Sequence, residues 1–141
     1  KRLCSCKQAY VPDEAELRDF VREFSLDLRH TPEWRDDPAT AERRLIERWR
    51  TEYGTPAQGL QMHRAVGCER CNGTGYKGRV GLHELLIADD TVKRLVQERA
   101  RVAELLTAAL ATGMHTLKMD GMEKVLMGLT DLKQVRSVCI K

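Results

Sequence analysis

The sequence has few aromatic residues and no long apolar run. Aromatic side chains make up 5% of its 141 residues, so we expect a mainly aliphatic core. No apolar run approaches the roughly 20 residues that a membrane-spanning helix needs, and the start, KRLCSCKQAY, does not resemble a signal peptide. The sequence also lacks an initiator Met, and from this we expect a fragment of a larger protein.

A strong excess of one charge and a complete phosphate-binding loop are missing as well. Charged residues make up 32% of the sequence and the net charge is +3, a balance too even to indicate nucleic-acid binding. The motif G-x-x-x-x-G-K-[ST] does not occur, and the glycines of GTGYKG lead into RVGLHELL, which does not begin like a capped helix. The sequence therefore predicts that this chain alone neither binds ATP tightly nor hydrolyses it.

Cysteine gives the strongest functional signal. Four of the five cysteines form two close pairs at the ends of a long spacer, a pattern typical of thiolate metal sites. These four are Cys4, Cys6, Cys68 and Cys71. The glycines after Cys71 free the backbone to turn back, so that amide groups can point at sulfur. We therefore predict a structural zinc site with these four ligands.

The sequence leaves other interpretations of the cysteines open. The C-x-C spacing is tighter than the usual C-x-x-C, so free or partly oxidised thiols are one alternative, and a ligand from His30 or His63 is another. CERCNGTG also fits one repeat of the cysteine-rich region of J-domain cochaperones, but that region needs four repeats and this chain has one. Cys139 follows apolar helical positions and is expected to be a small buried side chain.

The spacer between the cysteine pairs predicts a helical hairpin over about residues 12–54. Asp37 can cap its second helix with Pro38 at the first position, and Gly54 should end that helix. The stretch HTPEWRDDP between the two helices is expected to be a loop. The apolar stripes of the two helices consist of Leu17, Phe20, Val21, Phe24 and Leu28, and of Leu45, Ile46 and Trp49.

The rest of the chain predicts a short strand and four short helices. GLQMHRAV alternates like a strand, and YKGRVGLHELLIA has a weaker strand signal that runs into a turn of helix. Asp89 or Asp90 should cap the next helix, with Val92, Leu95 and Val96 facing inward. Gly113 should end the second helix, Thr116 and Gly128 should bound the third, and Thr130 should start the fourth.

These patterns together predict a mainly α fold with a small β element. Residues 1–88 are expected to form a zinc-binding subdomain, a four-cysteine knuckle that carries the helical hairpin as an insertion. Residues 89–141 are expected to form a small C-terminal helical subdomain. Metal binding would stabilise the knuckle, because such a loop-rich segment cannot build a core of its own.

Three blocks of the sequence resemble one known family. GCERCNGTGYKGRVGLHELL is similar to the C-terminal part of the ATPases that drive type II secretion and type IV pilus assembly. RLCSCK resembles that family's first cysteine pair with one residue missing, and GMHTLKMDGMEKVLMGLTDLKQVRSV resembles its ending. The blocks occur in the family's order and cover about residues 1–10 and 63–138. Residues 11–62 do not resemble the family, and Lys133 replaces a usually acidic residue.

The resemblance implies a non-catalytic part of a hexameric motor. The whole protein would be a cytoplasmic ATPase at the inner-membrane base of a secretion or pilus machine, where hydrolysis helps to extract or assemble pilin-like subunits. Its Walker motifs, ATP and magnesium would lie upstream of this chain. The implied partners are the upstream ATPase core, neighbouring subunits of a homo-hexamer and inner-membrane platform components, with no nucleic acid.

The sequence also suggests where partners could bind. Arg79 follows the knuckle and is either a solvated side chain or the partner of an acidic group across a subunit junction. Phe20, Phe24 and Trp49 of the hairpin stripes either pack on each other and on the tail helices or also contact a partner.

Two other functions stay open, a stand-alone zinc module that binds protein or nucleic acid, and an enzyme that uses His83 and Glu84. No nucleophile or metal pattern accompanies that pair.

Overall fold

The structure is a computed structural model that describes residues 1–139. It confirms the prediction of a mainly α fold with a small β element, since its β-structure consists of one two-stranded antiparallel sheet. The predicted C-terminal subdomain extends to residue 141, and its last two positions lie outside the described residues. In chain order the elements are β1 (Gln8–Tyr10), α1 (Glu14–Phe24), α2 (Pro32–Asp36), α3 (Pro38–Tyr53), β2 (Met62–Arg64), α4 (Asp90–Gln97), α5 (Val102–Ala111), α6 (Leu117–Leu126) and α7 (Leu132–Val138). Two short 3-10 turns cover Leu28–His30 and Glu69–Cys71.

Side-chain caps fix the starts of most of the helices, although α2 and α5 have none. The carboxylate of Asp37 accepts a hydrogen bond from the Thr40 N–H of α3, as predicted. The Asp89 carboxylate and the Thr116 hydroxyl likewise accept hydrogen bonds from N–H groups in the first turns of α4 and α6, also as predicted. The prediction that Thr130 starts the last helix is wrong. Asp131 caps α7, because the Thr130 hydroxyl donates to the Lys1 carbonyl at 2.8 Å instead.

The segment between the two hairpin helices is not the predicted loop. It contains the short helix α2, in which Pro32 occupies the first turn and therefore removes no helical hydrogen bond. Trp34 of this helix is buried in the core. Leu28, expected on the first helix, lies in a 3-10 turn after α1 ends. Burial of an aromatic side chain thus overrides the loop signal of two prolines.

The hydrophobic core is shared between the hairpin and the tail helices. Trp49 is fully buried, and the rings of Phe20 and Phe24 meet it edge-on at centroid distances of 5.6 and 4.8 Å. Met122 and Val125 of α6 belong to the same cluster. The hairpin therefore packs on itself and on the tail, which were two of the alternatives. Where a domain boundary lies, at residue 88 or elsewhere, stays a prediction.

This burial corrects the expectation that aromatic residues of the hairpin could form an interface with a partner. Phe20, Phe24 and Trp49 lie inside the chain's own core, so they cannot contact a partner while the chain is folded. A charged cluster adds to the junction between hairpin and tail. Glu23 of α1 lies 2.8 Å from Lys118 Nζ and 2.7 Å from Arg136 Nη2. The hydrogen bonds from Arg136 and Lys118 keep the pKa of Glu23 below its usual value.

Residues 79–88, called the strap below, contain no helix or strand, contrary to the weak strand signal. The strap is held to α6 by backbone contacts. The His83 N–H donates to the Asp120 carboxylate at 2.8 Å, and the Glu84 carboxylate accepts the Leu117 N–H at 2.7 Å. Leu85 and Ile87 are 71% and 72% exposed. The strap therefore presents apolar side chains to the surface.

The predicted inward face of α4 is only partly confirmed. Val92 is buried as predicted, whereas Val96 is 59% exposed and does not face inward.

Among the described residues no helix is both long enough and apolar enough to cross a membrane.

The burial of Trp34 gives a stability prediction. Trp34→Ala should lower the free energy of unfolding by about 3 kcal/mol, because it removes a large buried side chain and leaves a cavity. Val102→Ala is the control, since Val102 is 80% exposed and its loss should cost little. Urea unfolding followed by circular dichroism measures both. Equal small effects would contradict the burial of Trp34.

Candidate metal centre

Two segments far apart in the chain meet at the four predicted cysteines. The first is residues 3–7, where the Lys7 N–H closes a turn on the Cys4 carbonyl at 3.0 Å. The second is residues 67–76. Pairing of β1 with β2 and an isolated bridge between Leu3 and Tyr76 hold the segments side by side. We call the two segments together the knuckle.

The four sulfurs of the knuckle form a compact cluster. All lie within 4.8 Å of one another, and the four cysteines are free thiols rather than disulfides. Sγ–Sγ distances are 3.9 Å for Cys4–Cys68, 3.9 Å for Cys6–Cys71 and 3.8 Å for Cys68–Cys71. Ligands at the corners of a tetrahedron with a metal–sulfur bond of about 2.3 Å are about 3.8 Å apart. The cluster therefore fits one tetrahedral, thiolate-bound ion and is complete without His30 or His63.

Backbone amides point at the sulfurs, as the glycines suggested. The N–H groups of Cys68 and Gly75 each donate to Cys71 Sγ at 3.2 Å, and the Gly67 N–H donates to Cys6 Sγ at 3.4 Å. Such bonds orient thiolate ligands and stabilise their charge. Gly75 has a φ of +79°, so the turn depends on a conformation that favours glycine.

The pKa values of the thiols differ because these surroundings differ. Burial raises the pKa of Cys71, but the N–H groups of Cys68 and Gly75 outweigh it and bring that pKa down to about 6. The Gly67 N–H lowers the pKa of Cys6, but burial and the neighbouring thiols raise it to about 11. These surroundings therefore stabilise the thiolate form of Cys71 and disfavour that of Cys6.

The knuckle also holds the turn between α6 and α7. The Leu3 N–H donates to the Leu129 carbonyl at 2.9 Å, Lys7 Nζ donates to the Gly128 carbonyl, and the Tyr76 hydroxyl donates to the Asp131 carboxylate. No local sequence pattern predicts these contacts, because the partners are 55 to 126 residues apart. The position of the cysteine cluster is thereby linked to the position of the last helix.

The other predicted site residues lie outside this cluster. Arg79 is exposed at the start of the strap. His83 is exposed, with its ring 3.3 Å from Lys124 Nζ, while the neighbouring Glu84 carboxylate is occupied by the backbone of α6. This structural role of Glu84 argues against an enzyme built on the pair. Cys139 is partly buried against the core, and burial raises its pKa.

Comparison with known proteins agrees with the resemblance. A family model described as type II/IV secretion system protein matches residues 7–137. The chain belongs to this family. The match also covers residues 11–62, so the expectation that this segment does not resemble the family is wrong. The match begins after Cys4 and Cys6, so the first cysteine pair rests on the geometry described above.

Relatives named for type IV pilus assembly and relatives named for type II secretion are both similar to this chain. The type IV pilus assembly ATPase PilB of Thermus thermophilus is 44% identical over 78 residues, which is 55% of this chain and 9% of that protein. HxcR, a type II secretion system protein of Pseudomonas aeruginosa, is 44% identical over 75 residues, 53% of this chain and 16% of that protein. Type II secretion system protein E of Aeromonas hydrophila is 40% identical over 101 residues, 70% of this chain and 20% of that protein. The chain thus matches a fifth or less of the length of these relatives.

The glycines of the knuckle give a matched pair of variants. A Cβ on Gly75 would lie 2.7 Å from the Ala65 Cβ, whereas a Cβ on Gly73 meets nothing within 4 Å, and both residues have positive φ. Gly73→Ala should cost about 1 kcal/mol of unfolding free energy from backbone strain. Gly75→Ala should cost about 2 kcal/mol more from overpacking and should weaken metal retention. Thermal unfolding and chelator competition test this, and equal effects would refute the turn geometry.

Proposed function

We propose that this chain is the zinc-stabilised, non-catalytic C-terminal module of a secretion or pilus ATPase. The observation that carries the proposal is a four-sulfur cluster of tetrahedral dimensions in a chain of this family. The relative PilB, named as an ATPase, matches this chain over only 9% of its own length. The Walker motifs, ATP and magnesium of the whole protein would then lie upstream, and this module would hydrolyse nothing alone.

Zinc in this module has a structural role. Four thiolates from Cys4, Cys6, Cys68 and Cys71 fill a tetrahedral shell and leave no position for water or substrate, which is the pattern of structural sites. When bound, zinc joins the segments 3–7 and 67–76 and neutralises part of the thiolate charge. Free energy of metal binding becomes folding free energy for a segment with few apolar contacts of its own.

The strap supports a contact with the ATPase core. Leu85, Leu86 and Ile87 expose apolar side chains side by side, which is uncommon on a surface that nothing covers. Arg79, exposed at the start of the strap, would pair with an acidic group at that junction. Neighbouring subunits of a homo-hexamer and inner-membrane platform components are the further partners, with the protein in the cytoplasm and peripheral to the membrane.

A stand-alone zinc module that binds nucleic acid is the second candidate, because the knuckle together with its flanking residues is basic. Residues 1–10 and 63–82 contain seven of the 24 Lys and Arg residues and one of the 21 Asp and Glu residues. A surface depression there is lined by Arg2, Lys7, Arg70 and Lys77. Affinity for DNA or RNA that falls steeply with salt would favour this candidate, and we expect none at physiological salt.

Zinc content is the first test of the proposed function. Protein purified without added metal should contain one zinc ion per chain by elemental analysis. Cys68→Ser should lose the zinc and unfold the knuckle, because it removes a ligand. Cys139→Ser should keep one zinc, since Cys139 is outside the cluster. A zinc content near zero in a folded chain would refute the site.

The strap is tested in the whole ATPase. The double variant Leu85→Ser, Ile87→Ser should leave the unfolding of the isolated 141-residue chain nearly unchanged, because both side chains are exposed. In the full-length protein it should lower ATPase activity and thermal stability, because the contact with the core loses apolar area. Val11→Ser, at an exposed valine outside the strap, is the control. Unchanged ATPase activity and thermal stability of the full-length double variant would show that the strap does not contact the ATPase core.

A further inference from the structure

We propose that the knuckle is also a site of reversible oxidation by peroxides. In the oxidised form two disulfides, Cys4–Cys68 and Cys6–Cys71, take the place of the metal ion and keep the two segments joined. The release of a metal ion rests on the proposed function, whereas the pairing rests on the positions and the burial of the four sulfurs.

The sulfur distances favour disulfides between the segments. Four cysteines allow three connectivities. Cys68 Sγ is almost equally far from Cys4 and from Cys71, at 3.9 and 3.8 Å. Pairing Cys68 with Cys4 leaves Cys6 and Cys71 also 3.9 Å apart, ready for the second bond. Pairing Cys68 with Cys71 instead leaves Cys4 and Cys6, which would have to close a ring across one residue of a tight turn.

Burial disfavours the remaining connectivity, Cys4–Cys71 with Cys6–Cys68. Cys4 and Cys71 are buried, whereas Cys6 and Cys68 are half-buried. A disulfide between Cys4 and Cys71 would join two sulfurs that an oxidant reaches poorly. Each bond between the segments in the proposed connectivity instead joins one accessible sulfur to one buried sulfur. The accessible thiolate reacts with peroxide, and its buried neighbour then resolves the product.

The reaction balances with two peroxide molecules per chain. The thiolate of Cys68 attacks one oxygen, the O–O bond breaks, and a sulfenic acid and a hydroxide ion form. The thiolate of Cys4 attacks that sulfur, the S–S bond forms, and a second hydroxide leaves. Cys6 and Cys71 repeat these steps with a second peroxide. Four thiolates lose four electrons in total, the two peroxides gain them, and the metal ion is released unchanged in oxidation state.

The oxidised knuckle keeps its hold on the last helix. Both disulfides join the same two segments that the metal joins, so residues 1–3 stay beside the turn between α6 and α7. The bonds from the Leu3 N–H to Leu129 and from Thr130 to Lys1 can then persist. Loss of metal without oxidation removes the connection, and these bonds lose their support. Oxidation therefore preserves the module where simple metal loss would open it.

Disulfide mapping tests the pairing. The 141-residue chain with Cys139→Ser, loaded with zinc, is treated with hydrogen peroxide, and zinc release, free thiols and mass are followed. Partial reduction with stepwise alkylation then assigns the pairs by mass spectrometry, because trypsin does not cut between Cys4 and Cys6. We expect four thiols to fall to none in the monomer, one zinc to be released, and Cys4–Cys68 and Cys6–Cys71 to be the main pairs.

Three results would overturn the proposal. They are a main Cys68–Cys71 disulfide, disulfides between chains, and accumulation of sulfinic acid. The same mapping on metal-free reduced chain separates this proposal from the zinc site, since the pairing is expected there too.

Hydrogen exchange tests the consequence for the tail. Amides of residues 127–131 should stay protected in the oxidised chain and lose protection after chelation under reducing conditions. Cys6→Ser with Cys71→Ser keeps the Cys4–Cys68 pair, and oxidation of this variant should restore protection as well. Equal loss of protection in oxidised and chelated chains would show that the disulfides do not replace the metal.

Discussion

The contact between residues 3–7 and residues 67–76 sets the positions of the other parts of the chain. These segments are separated by a hairpin of more than 40 residues, and the sulfurs of the four cysteines converge where the segments meet. Strand pairing over three residues on each side is too short to be stable alone. The sulfur cluster supplies the missing connection, and the turn after α6 is bound directly to it through Leu3 and Lys7. The ends of the chain are thus tied together at one point.

The hairpin and the tail are joined a second time by the shared core. Trp49 contacts the rings of Phe20 and Phe24 edge-on, and the same core includes methionines and valines of the tail helices. Glu23 adds an ion pair with Lys118 and Arg136 at its edge. A hairpin of this size buries too little apolar area to offset its own ordering. Its packing on the tail supplies area that the knuckle alone does not offer.

Features that depend on neighbouring residues were predictable from the sequence, and those that depend on distant residues were not. The caps Asp37, Asp89 and Thr116 were found because each side chain bonds an N–H three residues ahead. The grouping of four cysteines was predicted from their spacing. Helix α2 was missed because its two prolines favour a loop, and only the pocket formed by other helices makes burial of Trp34 favourable. Thr130 was predicted to cap α7, but its hydroxyl donates to the carbonyl of Lys1, 129 residues away, and such a distant partner cannot be predicted from local sequence.

The distribution of charge follows from the sulfur cluster as well. Four thiolates around a divalent ion keep a net charge of −2, and a charge of that sign in a small, poorly solvated segment needs nearby cations. The basic residues around the cluster provide them, with Lys7, Arg70 and Lys77 within the same depression. Their side chains also bond the knuckle backbone or its neighbours, as Lys77 does to the Arg70 carbonyl at 3.2 Å. The near-neutral balance of the whole chain therefore conceals a local excess of positive charge, and an argument from net charge alone cannot detect such a surface. The cluster that closes the fold thus also determines which face of the module is positive.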